Sequence, residues 1–264
     1  MKKILIIILL IATFSACENT LDNYELPYSR KLVISAVLTA NDSLTLFRIS
    51  LTQPPLAINN FEAIDSDKLT AYIESDGERW DLELIQNHPG DYEIVKSYHI
   101  EDFVPEAGRT YSLYANYENM TATARTYVPN KPVILGTDTV QTVGDSDFGM
   151  IELFCTVKGE PGVVYSGSNE WDLRPVTVKN SDNEGNVDVY LGYTFKGGNQ
   201  PPYDTKILDV YDIQFYDYVL SKQKYNDVGF DLFSSSGNNI IWNIKGDGIG
   251  VFLGRYREKV DFVF

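Results

Sequence analysis

Apolar and polar residues alternate along several short segments in the first half of the chain. The alternation is clearest at 69–73, 80–84, 111–117 and 120–126. Because successive side chains of a strand point to opposite faces, a period of two predicts strands with one buried face. Turn-forming residues separate these segments at 40–43, 75–78, 88–91 and 106–109. Residues 30–128 are therefore expected to form about seven short strands, a number typical of an immunoglobulin-like or transthyretin-like β-sandwich.

The pattern is interrupted by two prolines at 129–132. Proline donates no backbone hydrogen bond and restricts the preceding residue, so we place a domain boundary here. A second β-rich domain is expected over 133–264. A short helix is expected near 212–225, with Asp212 as its cap and with Ile213, Tyr216 and Leu220 on one stripe. Strands are expected at 151–157, 163–165, 176–179, 187–195, 229–233, 239–244 and 251–264. The predicted fold class is all-β with one short helix.

The first 16 residues have the organisation of a lipoprotein signal peptide. Lys2 and Lys3 are followed by an apolar run over 4–12, and small residues at 15–16 precede Cys17. The run is too short to span a membrane as a helix, which needs about 20 apolar residues. We expect cleavage before Cys17, acyl chains on Cys17, and an acidic tether over 17–29. An ordinary signal peptide followed by a chance cysteine is the alternative.

The cysteine count and the charge restrict the function further. The chain has two cysteines, so lipid on Cys17 leaves no partner for Cys155, which lies in an apolar run and is expected to be a buried thiol. The formal net charge is -15. Removing residues 1–16 leaves 20 basic against 37 acidic residues, a net charge of -17. A surface this acidic repels phosphate backbones and argues against nucleic-acid binding.

The residues that usually carry catalysis form no convincing set. His88 and His99 are the only histidines, too few for a zinc site with several imidazoles. No Gly-x-Ser-x-Gly elbow occurs, and the Ser-Gly-Ser at 166–168 is expected in a loop. The glycine-rich segment at 246–250 leads into a strand rather than a helix, which favours a tight turn or bulge over a phosphate loop. We predict neither an enzyme nor a cofactor.

Two weaker patterns are candidate binding sites. Asp182, Glu184 and Asp188 place oxygen atoms around a glycine, as in the first part of a calcium loop. The acidic twelfth position is Leu191 and no helices flank the segment, which favours a polar hairpin loop over a calcium site. A second candidate is a sugar-binding platform of tyrosines, which are also ordinary sheet residues. The tyrosines concerned are Tyr203, Tyr211, Tyr218 and Tyr256.

Several local patterns, taken in order, resemble one protein family. They include Cys17-Glu18, the strand at 31–39, Pro-Gly-Asp-Tyr at 89–92, Gly-Arg-Thr-Tyr-Ser-Leu at 108–113, Val-Pro at 128–129, the aromatic helix at 215–218 with Gln223, and the segment at 243–252. In this order they resemble the Bacteroidota lipoproteins called domain of unknown function 4249, and they span nearly the whole mature chain.

The resemblance implies an outer-membrane lipoprotein encoded beside a TonB-dependent receptor, with an immunoglobulin-like front domain. It brings no catalytic residues. Bacteroidota lipoproteins often reach the cell surface when acidic residues follow the cysteine. Glu18, Asp22 and Glu25 fit this pattern loosely, so the resemblance allows either a cell-surface or a periplasmic orientation. The leading hypothesis is a non-enzymatic accessory protein of nutrient uptake that binds through loops at 197–203 and 234–238. A structural or adhesive envelope protein is the alternative, with a hydrolase third.

Overall fold

The computed structural model describes residues 28–54, 62–85, 95–143, 149–168, 176–179, 185–196, 203–227 and 240–263. These residues form sixteen strands, one α-helix and a short 3-10 helix at Ser66–Lys68. The elements are β1 (Leu32–Thr39), β2 (Phe47–Leu51), β3 (Leu69–Ser75), β4 (Glu78–Asp81), β5 (Glu83–Leu84), β6 (Lys96–His99), β7 (Thr110–Tyr117), β8 (Met120–Tyr127), β9 (Ile134–Val143), β10 (Gly149–Lys158), β11 (Val163–Ser168), β12 (Val176–Lys179), β13 (Asn186–Lys196), β14 (Tyr203–Asp212), α1 (Gln214–Asp227), β15 (Lys245–Gly246) and β16 (Gly248–Val263).

The strands form three sheets. The large sheet has the order β12-β11-β14-β16-β1-β2-β6-β5. The five-stranded sheet has the order β15-β8-β7-β3-β4, and the three-stranded sheet has the order β13-β10-β9. The fold is therefore all-β with one helix, as the sequence predicts.

Both smaller sheets pack on the same face of the large sheet. The core under the five-stranded sheet contains Phe252 of β16, and the core under the three-stranded sheet contains Val260 and Phe262 of the same strand. These positions are an even number of residues apart, so their side chains point the same way. Tyr256 packs against both cores and joins them. The helix covers the opposite face, where Phe215 packs in a small cluster with Leu253.

Strand β16 connects the two halves of the molecule. Its first part, Gly248 to Arg255, pairs in parallel with β1, and its second part, Arg255 to Val263, pairs antiparallel with β14. Sixteen residues of strand extend about 50 Å at 3.3 Å per residue. Residues 245–255, which the sequence analysis placed in the second domain, therefore lie in the sheets of the first half. Local patterns carry no sign of this pairing, because its partner lies more than 200 residues away.

Glycines allow β16 to pass close to neighbouring backbone. A Cβ atom on Gly250 would lie 2.0 Å from the Ile34 carbonyl oxygen, and one on Gly254 would lie 2.0 Å from the Tyr127 carbonyl oxygen. Gly246 has a φ of +82° and a Cβ there would lie 2.4 Å from the Thr121 carbonyl oxygen. The glycine-rich segment at 246–250 is a tight connection between β15 and β16 and includes the first residues of β16, in agreement with the predicted tight turn or bulge.

Most predicted strands are present, but several boundaries differ. The segment at 80–84 is split between β4 in the five-stranded sheet and β5 in the large sheet. The Ser-Gly-Ser expected in a loop lies in β11, where Gly167 is packed against the Tyr190 backbone. Residues 240–244 are not a strand, and 229–233 lie outside the described residues. Strands β9 and β14 were not predicted.

The helix lies two residues later than predicted, over Gln214–Asp227. Asp212 does act at its start, because its Oδ1 accepts a hydrogen bond from the Gln214 backbone N–H at 3.1 Å. The most buried apolar side chains are Phe215 and Val219, one helical turn apart, and Ile213 and Tyr216 of the predicted stripe are half-buried against the same cluster. The ring of Phe215 stacks on Tyr211, with centroids 3.9 Å apart. Packing on the large sheet selects this face.

Candidate functional site

A buried carboxylate joins the two halves next to the start of α1. Asp212 is 4% exposed. Its Oδ2 accepts hydrogen bonds from the Thr126 hydroxyl at 3.0 Å and from the Tyr127 backbone N–H at 2.7 Å. The Thr126 hydroxyl oxygen in turn accepts from the Gly254 backbone N–H at 2.6 Å. Three elements, β8, β14 and β16, are therefore fixed to one another by a single polar network.

The edge of β8 that does not pair with β7 is hydrogen-bonded at two places, once by a strand and once by a side chain. Strand β15 pairs with it at Ala122 and Thr123. Farther along, the Gln214 side-chain amide donates to the Arg125 carbonyl oxygen at 3.0 Å and to Asp212 Oδ2 at 3.2 Å. Since the backbone at both ends is held, the space between them is a fixed opening beside the outer face of the sheet.

This opening is a groove of about 610 Å³. Its volume lies within the range of small-molecule sites in proteins. Ala124 is its only aliphatic lining residue, and most of the others carry hydroxyl, amide or charged groups. The lining residues are Thr110, Ser112, Tyr114, Thr123, Ala124, Arg125, Thr126, Tyr127, Asp212, Gln214, Asn243 and Lys245. We refer to this set as the polar groove.

The floor of the polar groove is the outer face of the five-stranded sheet. Ser112 lies opposite Arg125, and Tyr114 lies opposite Thr123, which in turn lies opposite Lys245. The side chains of Ser112, Tyr114 and Thr123 are half-buried. Alternate residues of β7 and β8 point to opposite faces of the sheet. The apolar ones face the core, and these three polar ones face the groove.

A pair of stacked tyrosines continues this face away from the groove. The rings of Tyr72 and Tyr114 lie 5.0 Å apart with an interplanar angle of 20°. The guanidinium of Arg79 sits 3.7 Å from the centre of the Tyr72 ring and also pairs with Asp81. Cation–π and ion-pair contacts together hold Tyr72, and Tyr72 supports Tyr114. One wall of the groove is thus the Tyr114 ring, which is supported by its stacking on Tyr72.

Two cationic side chains border the groove without an ion pair among the residues that the structure describes. Arg125 and Lys245 are both exposed. The third charged lining residue, Asp212, is occupied by the hydrogen bonds described above. The lining therefore has a net charge of +1 in a chain whose formal charge is -15. An anion is attracted to this place and repelled by most of the remaining surface.

The Asn243 side chain fixes the segment next to Lys245 to strand β16. Its side chain accepts a hydrogen bond from the Phe252 backbone N–H at 2.8 Å and donates to the Phe252 carbonyl oxygen. The pairing of β14 with β16 reaches only to Arg255, so Asn243 satisfies peptide groups that this neighbour leaves open. The resemblance motif at 243–252 thus has a structural role in this chain.

Most of the residues predicted for lipidation and for a calcium site belong to parts of the chain that the structure does not describe. Cys17, His88, Asp182 and Glu184 lie outside the described residues. Asp188 belongs to β13 rather than to a loop, and its carboxylate accepts a hydrogen bond from the Thr156 hydroxyl at 2.6 Å. Within the part of the chain that is described, no group of three or more His, Cys, Asp or Glu side chains is placed to hold a metal ion.

The tyrosine platform is not one surface. Tyr211 lies opposite Arg255 on the helix-covered face of the large sheet, and Tyr218 contacts Trp242 from the helix. Tyr256 points the other way and packs against both cores. Tyr203 begins β14, and its side chain lies outside the described residues. Tyr211 and Tyr218 therefore pack against the cluster beneath the helix, and Tyr256 packs on the opposite face of the large sheet.

Cys155 is a buried thiol, as predicted. It is fully inaccessible in the core beneath the three-stranded sheet. Burial, reinforced by the negative charge of Asp188, raises the pKa of the thiol to about 12. A thiol that is neutral and inaccessible at physiological pH behaves as an apolar core group.

The groove residues were mostly missed by the sequence analysis. Asp212 was recognised as a cap, and Asn243 and Lys245 belong to the resemblance motif. The outward positions of β7 and β8 were implicit in the alternation, but nothing local indicated that β15 and Gln214 would enclose them. Among the described residues, no helix has the length and apolar character needed to cross a membrane. No family model and no curated protein matches this chain.

Proposed function

We propose that this protein is a non-enzymatic, lipid-anchored lipoprotein of the outer membrane that binds a polar nutrient and acts beside a TonB-dependent transporter. The observation that carries the binding part is the polar groove. It has the volume of a small-molecule site and is lined almost wholly by hydrogen-bonding side chains. Such a lining favours a ligand rich in hydroxyl or charged groups over an apolar one.

Rigidity supports a binding role. The groove is bounded by strands and by a helix start that a buried carboxylate fixes, so its donors and acceptors keep their places without a ligand. A preorganised site loses less conformational entropy on binding. Binding sites built on strands and helices are also held more precisely than those on loops.

Attachment to the membrane is the second part of the proposal. It rests on the signal-peptide pattern before Cys17 and on the resemblance to Bacteroidota lipoproteins. The described structure begins at Tyr28, which donates a hydrogen bond to the Thr52 carbonyl oxygen. Arg30 pairs with Glu62 and Glu118. The eleven residues at 17–27 reach at most about 40 Å when fully extended. A protein anchored through Cys17 would therefore keep the groove close to the membrane surface.

Lipid attachment is tested by metabolic labelling. Cells grown with a fatty-acid analogue should label the wild-type protein and leave Cys17→Ala unlabelled. Cys155→Ala is the matched control, because it removes the other cysteine and should label as wild type does. Equal labelling of wild type and Cys17→Ala would disprove the anchor.

Partnership with a transporter is tested by crosslinking in intact cells, followed by mass spectrometry of the captured proteins. We expect an outer-membrane receptor among them, and slower uptake of one class of nutrient when the gene is deleted. Capture of no receptor, together with unaltered uptake across nutrients, would refute the accessory role.

A structural or adhesive role is the second candidate, and β9 favours it. This strand lies at the edge of the three-stranded sheet, and Leu135 and Val140 are 51% and 44% exposed. The outer face of the same sheet presents Tyr193 and Phe195, which are 43% and 57% exposed. Exposed edges and apolar faces promote association between chains. Self-assembly of the purified protein into fibres, without capture of a receptor, would favour this role.

A further inference from the structure

The positive charge of the polar groove is concentrated at two neighbouring positions. Lys245 on β15 lies opposite Thr123 on β8, and Arg125 is two residues farther along β8. Their side chains emerge on the same face as diagonal neighbours, about 7–8 Å apart in an antiparallel pair. Like charges at this spacing repel each other, and neither has an ion-pair partner among the described residues. An anion between them relieves that repulsion.

Each cation has a hydroxyl residue as its cross-strand neighbour. Thr123 lies opposite Lys245, and Ser112 lies opposite Arg125. Two cations with hydroxyl donors beside them match a carboxylate, whose two oxygens accept several hydrogen bonds at once. Asp212 cannot serve as this anion, since Thr126, Tyr127 and Gln214 already occupy its oxygens.

The rest of the groove suits a ring that carries hydroxyl groups. Tyr114 lines it next to Thr123, and its ring is supported by Tyr72. Thr110 supplies a further hydroxyl, and the Gln214 and Asn243 amides line the groove while they hydrogen-bond Arg125, Asp212 and Phe252. An aromatic ring among amides and hydroxyls binds the apolar face and the polar edge of a sugar together. The near absence of aliphatic lining disfavours an apolar side chain of a peptide.

We infer that the polar groove binds a carboxylate-bearing saccharide, a chain of hexuronate units, with one carboxylate held between Arg125 and Lys245 and a sugar ring against Tyr114. This inference rests on the proposed function for the site and names the class of nutrient. It also accounts for two neighbouring cations, on an acidic protein, that have no ion-pair partner in the described part of the chain. A neutral sugar gains nothing from them.

The test is calorimetric titration of the full mature lipoprotein in neutral detergent. The probes are trisaccharides of galacturonate, glucuronate and mannuronate, each with its carboxyl-reduced neutral counterpart. At least one acidic trisaccharide should bind, and its neutral counterpart should bind about tenfold more weakly or worse, the effect of losing a charged hydrogen-bond partner. Added salt should weaken the acidic ligand and leave the neutral one unchanged.

Variants locate the effect. Arg125→Ala and Lys245→Ala should each weaken binding of the acidic trisaccharide by about tenfold, whereas Arg125→Lys should retain part of it. Arg48→Ala and Lys259→Ala are matched controls, because both remove an exposed cation from a strand outside the groove and should change nothing. Circular dichroism spectra that superimpose on wild type show that each variant is folded.

Three results would overturn the inference: no binding of any of the three acidic trisaccharides, equal binding of the neutral counterparts, or unchanged binding in both groove variants. None of these removes the membrane anchor or the transporter partner, which labelling and crosslinking test separately. Loss of the anchor and partner with acidic-sugar binding intact would instead leave the inference standing and refute the accessory role.

Discussion

The Thr126 hydroxyl lies 3.0 Å from a carboxylate oxygen of Asp212, 86 residues away in the sequence, and this contact joins the two halves of the molecule. Asp212 Oδ2 accepts hydrogen bonds from β8 and from the Gln214 side chain, and Oδ1 accepts one from the Gln214 backbone N–H at the start of α1. The polar groove exists because these elements are held at this separation. Its shape therefore depends on a residue that offers no free group to a ligand.

Replacement of Asp212 is expected to destabilise the protein and to reduce ligand binding. Asp212→Asn keeps the shape but places an amide against the backbone N–H groups of Tyr127 and Gln214. The free energy of unfolding should fall by about 1.5–3 kcal/mol, the range for hydrogen bonds to a charged group in a buried place. Urea denaturation of the mature chain measures this. Asp217→Asn, an exposed acid on the same helix, is the control and should change stability by less than about 0.5 kcal/mol.

A methyl group on Gly254 should disrupt the packing of β16 against β8. The added Cβ of Gly254→Ala would lie 2.0 Å from the Tyr127 carbonyl oxygen, so one of the two backbones must move. We expect a loss of about 3 kcal/mol or more, since overpacking against main chain relaxes poorly. Gly136→Ala on β9 is the matched control, because nothing lies within 4 Å of its new Cβ. Similar melting temperatures for the two variants would show that β16 does not approach Tyr127 so closely.

The Cys155 thiol should be protected from reagents in the folded protein. At pH 8 an aromatic disulfide reagent is expected to react with the mature Cys17→Ala chain only after denaturant is added. Rapid stoichiometric reaction without denaturant would contradict the burial of this thiol. The chain lacks other cysteines, so the reading is unambiguous.

Cys155 should also destabilise the fold at alkaline pH. The thiol pKa is about 12 in the folded protein against an ordinary value of 9.0, so the unfolded chain loses this proton first. The thiol therefore costs no stability below pH 9. Above it, its contribution to the free energy of unfolding falls by up to about 1.4 kcal/mol per pH unit until the folded pKa is passed. Urea denaturation between pH 8 and 10.5 should show a smaller decline for Cys155→Val than for wild type. Parallel curves would contradict the raised pKa.

Calcium is not expected to bind through Asp188. Its carboxylate already accepts a hydrogen bond from Thr156 across to β10, which directs it along the sheet. Calorimetric titration with calcium should therefore give no heat that disappears in Asp188→Asn. Asp182→Ala extends the test to the part of the segment outside the described residues. Heat that both variants abolish would establish a calcium site here.

Prediction from the sequence succeeded where a strand has one buried and one exposed face. Strands β3, β7 and β8 alternate clearly, because the core lies on one side and water on the other. Strand β9 was missed since both its faces are largely exposed, so its sequence carries no alternation. Strand β14 was missed because its polar residues, including Asp209, are buried in partnership with Arg257.

The groove was less predictable than the strands. Ser112, Thr123 and Arg125 follow from the outward positions of β7 and β8, but their enclosure depends on contacts over long separations. Gln214 reaches Arg125 across 89 residues. Lys245 reaches the same sheet only because Gly246 and Asp247 fit against Thr121. The hydrophobic periodicity of a segment of ten or twenty residues does not indicate which distant residues contact it.

The location of β16 at the centre of the large sheet also sets the order in which the protein can fold. Leu32 pairs with Gly248, so β1 cannot pair with β16 until a segment more than 200 residues later in the chain is available. Until that strand arrives, β1 and β14 both present open edges, and the two halves have no common sheet. Pairing over such distances is slow, because the entropy of closing a long loop is lost before any contact compensates for it. The large sheet can therefore close only when almost the whole chain is available, whereas β3, β4, β7 and β8 can pair before β16 is present.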